Sequence, residues 1–204
     1  MNTESKIKEF VKELSMYEFD EGVENPYHKK ECIYNLEHYL KHILYRGSHI
    51  MLIGEAPGYK GCQLTGIPFT DEIQLKNAEN YYALGDWLRL AENGNQREKT
   101  ATIIWEVIRL RKSESFVPLM WNAFPFHPYN QTPNSNRKPS ENEITLGLTI
   151  VNQLKEIFEI TNDNIYAIGR VAQHQLGLPL EKYIRHPSYG GKADFVDGIV
   201  NITI

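Results

Sequence analysis

The chain is short of cysteine, of long apolar runs and of positive charge, and each shortage excludes a class of protein. Two cysteines in 204 residues, Cys32 and Cys62, cannot build a disulfide framework or a four-cysteine metal site. A reducing, cytoplasmic setting is therefore expected. No stretch approaches the length of a membrane span, and Met1-Asn2-Thr3-Glu4-Ser5-Lys6 lacks the basic and apolar regions of a signal peptide. The formal net charge of −4 argues against coating a polyanion through bulk electrostatics, but it leaves room for a local basic patch. Three such groups are visible: Arg109, Arg111 and Lys112; Arg137 and Lys138; Arg185 and Lys192. Taken singly, each reads as a solvated face.

Other motifs are missing too. No Gly-Lys-Ser/Thr follows Gly54 to Gly61, so this is not a phosphate-binding P-loop. Ser188 lacks the Gly-x-Ser-x-Gly setting of an activated nucleophile, and its expected task is to fix a turn. His28, Cys32, His38 and His42 lie close in sequence, with His38 and His42 four apart on an expected helix. Two His at that spacing can share a metal, but no His-Glu-x-x-His or second Cys accompanies them, and solvated side chains are the expectation.

What is present is an alternation of short apolar runs and helical periodicities. Apolar residues at 7, 10, 11 and 14 predict a helix within 4–19, and a second is expected over 34–45. His49–Ile53 is the first strand, and it runs into a corner rich in Gly and Pro. Helical patterns return over 80–92 and 99–111. Residues 116–121 read as a second strand, followed by a long polar loop over 123–139. Ser140 and Glu143 form a capping-box pattern for a helix reaching Phe158. A third strand is expected over 164–168, a short helix after Gly169 and a fourth strand over 182–185; 192–200 is helix or strand. Strands separated by helices indicate an α/β protein with a mostly parallel four-stranded sheet. At this length, one domain over 1–204 is expected, with N-terminal helices over about 1–46, and a monomer.

Glu55, Asn122 and His186 each fall within a residue or so of a strand's carboxyl end, and right-handed crossovers place all such ends on one edge. With them come motifs that can be compared with a known family. Gly54-Glu55-Ala56-Pro57-Gly58, followed by Gly66-Ile67-Pro68-Phe69, resembles the first motif of the uracil-DNA glycosylase superfamily, in the form used by its iron–sulfur class. Asn122 stands as the asparagine of the second motif, residues 164–172 are similar to the third-strand segment, and His186-Pro187-Ser188 matches the last motif. The resemblance runs from about residue 48 to 190 in the family's order.

It implies an α/β/α sandwich that hydrolyses the N-glycosidic bond of deoxyuridine in DNA without a metal in the reaction. By resemblance Glu55 would position or deprotonate the attacking water and face the positive sugar. Phe69 would stack on the flipped base, Asn122 would read its pairing edge, and His186 would stabilise negative charge at O2. Either Tyr189 is the side chain that enters the duplex or flipping from intact duplex is weak, and Arg185 and Lys192 are further candidate DNA contacts. There are departures. Phe126 occupies a position where the iron–sulfur class has a cysteine, so no cofactor is expected. Asp71 replaces a usual glycine and would add negative charge near the DNA path, and Tyr189 is followed by Gly190-Gly191. Asp71, Gly190-Gly191 and the acidic balance support a second reading, a superfamily member that binds nucleic acid or a nucleobase without turnover; the modest basic character would suffice for a third, a hydrolase of small nucleosides.

The residue types suit the chemistry on independent grounds. Breaking the bond leaves an oxocarbenium-like sugar and an anionic base. A carboxylate by the sugar and a fixed donor by the base favour charge that develops only in the transition state. An amide offers the donor and acceptor that uracil's carbonyl and N–H require, and an aromatic ring offers the extruded base an apolar face.

Overall fold

The computed structural model describes residues 2–77, 94–111 and 116–203. The helical pattern over 80–92 and Lys112 lie outside the described residues. In chain order the elements are α1 (Thr3–Leu14), β1 (Val23–Glu24), α2 (Lys30–Tyr45), β2 (Met51–Gly54), α3 (Cys62–Thr65), α4 (Glu72–Lys76) and α5 (Lys99–Leu110). There follow β3 (Leu119–Asn122), β4 (His127–Pro128), α6 (Glu141–Phe158), β5 (Ile165–Ile168), α7 (Arg170–Gln175), β6 (Tyr183–Ile184) and α8 (Lys192–Val200).

Four strands form a sheet in the order β3-β2-β5-β6, and every pairing is parallel. All four residues of β2 and of β3 are buried, as expected of a parallel sheet covered on both faces. The helices form two groups: α1 packs on α2 and α6, while α5 packs on α8. The result is the expected three-layer α/β/α sandwich. Phe10 of α1 meets Trp121 of β3 with ring centroids 5.8 Å apart, and the Tyr39 hydroxyl oxygen of α2 accepts from Met120 N of the same strand at 2.7 Å. Each fully buried Leu, Ile or Phe on these faces contributes about 1.5–3 kcal/mol. Among the described residues no helix is long and apolar enough to cross a membrane.

Local chemistry explains several boundaries. Ser140 Oγ accepts from Glu143 N, and the Glu143 carboxylate accepts from Ser140 N at 2.6 Å, so the capping box starts α6 where its pattern predicts. The C-terminal segment is a helix, with Phe195 and Ile199, four apart, on its buried side. The loop after β3 is more ordered than its Pro and polar content suggests. His127 and Pro128 pair antiparallel with Val23 and Glu24, a two-residue ribbon too short to show a period.

Register places the site. Gly54 lies beside Asn122, and Ile168 lies beside Ile184. Glu55, Asn122 and His186 therefore leave the sheet along one carboxyl edge, Asn122 as the last strand residue and His186 two residues beyond β6.

Candidate active site

Glu55, Phe69, Asn122 and His186 line one open cleft of about 540 Å³ at that edge. Tyr189 also borders it, as do Glu98, Lys138 and Arg170, which were not among the expected site residues.

The corner after β2 is braced from outside. Ala123 N and Phe124 N donate to the carbonyls of Gly54 and Glu55, so two backbone bonds continue the β2–β3 pairing beyond the strands. His127, fully buried, bridges the carbonyls of Pro57 at 2.8 Å and Pro133 at 2.9 Å. Tyr59 N donates to Asn136 Oδ1 at 3.2 Å. Glu55 is thus carried on a fixed backbone, while its carboxylate has no hydrogen-bond partner among the described residues. Partial burial raises its pKa, and the Lys138 ammonium opposes that rise.

Phe69 holds an unusual backbone conformation, with φ of 55°. A left-handed phenylalanine is costly and persists only where its surroundings enforce it. Here Trp105 Nε1 donates to Phe69 O and to Thr70 Oγ1, each at 3.2 Å, and Thr65 Oγ1 donates to Thr70 O at 2.8 Å. The ring that results lies directly over Gly54. A Cβ there would come 2.4 Å from Phe69 Cζ and 3.2 Å from Asn122 Oδ1. Gly54 is thus the floor on which ring and amide meet.

Asn122 is 3% exposed, yet among the described residues its amide caps no turn. The backbone groups it could have served are already bonded to Gly54 and Glu55. Among the described residues its Nδ2 makes only a weak 3.9 Å contact with Cys62 Sγ, which leaves the amide's capacity for a ligand.

His186 has its Nδ1 2.7 Å from Ser188 Oγ, and Ser188 N–H donates to the same nitrogen at 3.3 Å. Burial, then the neighbouring Arg185, lowers the ring's pKa, which favours the neutral imidazole. Because Nδ1 accepts from a backbone N–H, this hydrogen-bond pattern assigns the ring proton to Nε2. The site therefore holds a neutral imidazole with a preset N–H donor, and Ser188 orients it.

The charged surroundings differ from expectation in three respects. Asp71 does not face a DNA path: it is fully buried as the N-cap of α4, accepting from Gln74 N and Glu98 N, each at 2.7 Å. Arg111, read as part of a solvated basic face, is 6% exposed and donates to the carbonyls of Ile199 and Ile202. Arg137 donates to the Glu143 carboxylate at 2.6 and 2.7 Å and to three backbone carbonyls, those of Gly22, Tyr129 and Lys138, which makes it a brace for the loop.

Other cations are arranged accordingly. Arg185 pairs with Asp194 at 3.6 Å, and Lys192 pairs with Glu106 at 2.8 Å away from the cleft lining. Lys138 and Arg170, both exposed on the cleft, have no ion-pair partner among the described residues; Arg170 lies over the Tyr183 ring at 5.0 Å. Tyr189 is 95% exposed with φ of 51°, projecting at the cleft's border.

The cysteines do not fit an iron–sulfur cluster. Only two exist, both are buried, Cys32 Sγ donates to Leu64 O, and burial pushes the Cys32 thiol up to about 12. Phe126 fills its position with an aromatic packing, 4.6 Å from Phe19 and 5.3 Å from Tyr17 by ring centroids. His28 and His38 each bond a backbone carbonyl, and Cys32 is buried instead of solvated. Among the described residues no three His, Cys, Asp or Glu side chains group as a metal site.

Comparison with solved structures finds the same architecture in the crystal structure of wild-type SMUG2 from Pedobacter heparinus. The two are 18% identical with a TM-score of 0.65, over 98% of this chain and 96% of that one. At that identity the likeness concerns the fold. A comparison with curated protein sequences finds no match. The sequence profile of the uracil DNA glycosylase superfamily, however, matches residues 43–196, which span β2 through most of α8 and include every cleft residue described above. The chain belongs to the uracil DNA glycosylase superfamily.

Proposed function

We propose that the protein is a monofunctional DNA glycosylase that hydrolyses the N-glycosidic bond of uracil, or a related damaged base, in DNA as a step of base-excision repair. It would act as a cytoplasmic monomer. The observation that carries this reading is the meeting of a carboxylate, an aromatic ring, a free amide and a neutral imidazole in one cleft.

Each group has a task set by the charge it would meet. An extruded base stacks on Phe69, and the Asn122 amide pairs with its Watson–Crick edge. As the bond between the sugar C1′ and the base nitrogen breaks, its electrons leave with the base. Nε2–H of His186 stabilises the anion at O2, while Glu55 faces the positive sugar and accepts a proton from the water that adds to C1′. A neutral imidazole suits this role because it donates to the anion without having bound the ground state more tightly by charge. One such preorganised donor is worth about 3 kcal/mol. Lys138 and Arg170 meet phosphates at the rim, and Tyr189 enters the space left by the base. Arg185 and Lys192 contribute less, since each already has an acid.

The test is direct. Purified protein in excess EDTA should release free uracil from single-stranded and G·U-mispaired oligonucleotides. Intact uracil DNA in both forms would overturn the uracil reading. The non-catalytic alternative loses one of its supports, because Asp71 is buried away from the cleft.

A further inference from the structure

Glu98 precedes α5 in an ordinary polar run, Gln96-Arg97-Glu98-Lys99, yet the fold takes unusual care over where it sits. Asp71 Oδ2 accepts from Glu98 N at 2.7 Å. The adjacent Glu72, 1% exposed, accepts from Gly94 N, Asn95 N and Gln96 N at 3.2, 3.1 and 2.8 Å. Two buried carboxylates thus bind four backbone N–H groups in the five residues ending at Glu98. The Glu98 side chain then enters the cleft and lies in a cradle of two glycines. A Cβ on Gly61 would fall 1.9 Å from Glu98 Oε2, and one on Gly58 2.8 Å from Oε1. Cys62, next to that cradle, is the residue whose Sγ touches the Asn122 amide. Among the described residues the Glu98 carboxyl has no hydrogen-bond or ion-pair partner.

We propose that Glu98 is a base-reading residue: its carboxyl donates a hydrogen bond to a carbonyl oxygen on the edge of the bound base, alongside the amide of Asn122. This rests on the glycosylase reading of the cleft and adds a recognition element to it.

The chemistry follows from the surroundings. A carboxylate in a cradle without N–H donors or a cation is poorly solvated, so the neutral acid is favoured. Burial, with Asp71 close by, pushes Glu98 up to about 7. Other titratable groups around it are the buried Cys62 thiol and, lining the same cleft, Glu55, Lys138 and His186. Below neutrality the carboxyl offers an O–H to a carbonyl. Ionised, it offers only lone pairs, which repel both a carbonyl and the departing base anion. Substrates bearing carbonyls should therefore be processed less well as pH rises through about 7.

The experiment compares wild type, Glu98→Gln and Glu98→Ala in uracil release from a single-stranded oligonucleotide between pH 6 and 9. The amide of Glu98→Gln keeps a donor at every pH. Its kcat/KM should hold between pH 7 and 9 while that of wild type falls at least threefold. Glu98→Ala should lose about tenfold at pH 6, chiefly in KM. Superimposable profiles with equal kcat/KM would overturn the proposal. If none of the three releases uracil, the glycosylase reading fails separately, and binding of free uracil at pH 6, followed by NMR, decides for Glu98. Binding at least fivefold weaker in Glu98→Ala than in the other two supports the assignment; no difference among the three, including no binding, overturns it.

Discussion

Two pairs of acids on the connections around the cleft share a residue type and differ in almost everything else. Asp71 and Glu72 are buried, and their carboxylates accept five backbone N–H groups between them. Glu55 and Glu98 line the cleft, and their carboxylates accept none among the described residues. Residue type does not separate the pairs; satisfaction of the oxygens does. A buried carboxylate with its full set of donors organises a chain segment. One placed with comparable care but without donors has its bonding capacity left for something outside the chain. The cations divide along the same line: Arg137 is bound by Glu143 and three carbonyls, whereas its neighbour Lys138, exposed on the cleft, has no ion-pair partner among the described residues.

This contrast can be broken most forcefully at Glu72. Glu72→Ala would leave the N–H groups of Gly94, Asn95 and Gln96 without their acceptor, costing on the order of 3 kcal/mol. Urea denaturation would measure it, and an unchanged midpoint would remove Glu72 from the structural group.

Glu98→Gln should move stability the other way, and only at higher pH. Its folded-state pKa is raised from 4.5 to about 7, so the carboxyl's stabilising contribution is complete below about 4.5 and is lost as pH rises through about 7. Relative to wild type, the variant should gain on the order of 2 kcal/mol between pH 5 and pH 8. Thermal melts at the two pH values read this difference, and a gain at pH 5 alone would reverse the assignment.

Among the cations, Lys138→Ala and Arg170→Ala should each weaken binding to uracil DNA severalfold and reduce the salt dependence by about one phosphate contact, with melting temperature unchanged. Arg137→Ala should instead lower the melting temperature, because it removes a bidentate pair and three backbone contacts. The smallest effect belongs to Arg185→Ala and Lys192→Ala. Each cation has a carboxylate within 4 Å, and less than a twofold change in DNA affinity is expected. A large loss at Lys192 would show that its pair with Glu106 opens on binding.

What could be read in advance followed from periodicity and topology. Parallel strands bring their carboxyl ends together, so Glu55, Asn122 and His186 could be placed on one edge before any coordinate was known. Phe69 was placed only by its motif; its left-handed backbone, enforced by Trp105 and Thr65, has no local signature. Asp71 did carry one. Asp followed three residues later by Gln74 is a helix-start pattern, and it accounts for the residue better than proximity to DNA does. Glu98 carried none, because its position depends on two acids more than twenty residues away and on two glycines across the cleft. The ribbon of Val23–Glu24 with His127–Pro128 was invisible for a simpler reason: two residues cannot display an alternation.

The measurement that bears most directly on the cleft is the single-turnover rate of uracil release by Glu55→Gln beside its affinity for the same oligonucleotide. If the unpartnered carboxylate faces the developing sugar cation, the rate should fall on the order of 100-fold or more while affinity stays within about threefold. A variant that releases uracil as fast as wild type would contradict that role for Glu55 and the division between partnered and unpartnered acids built on it.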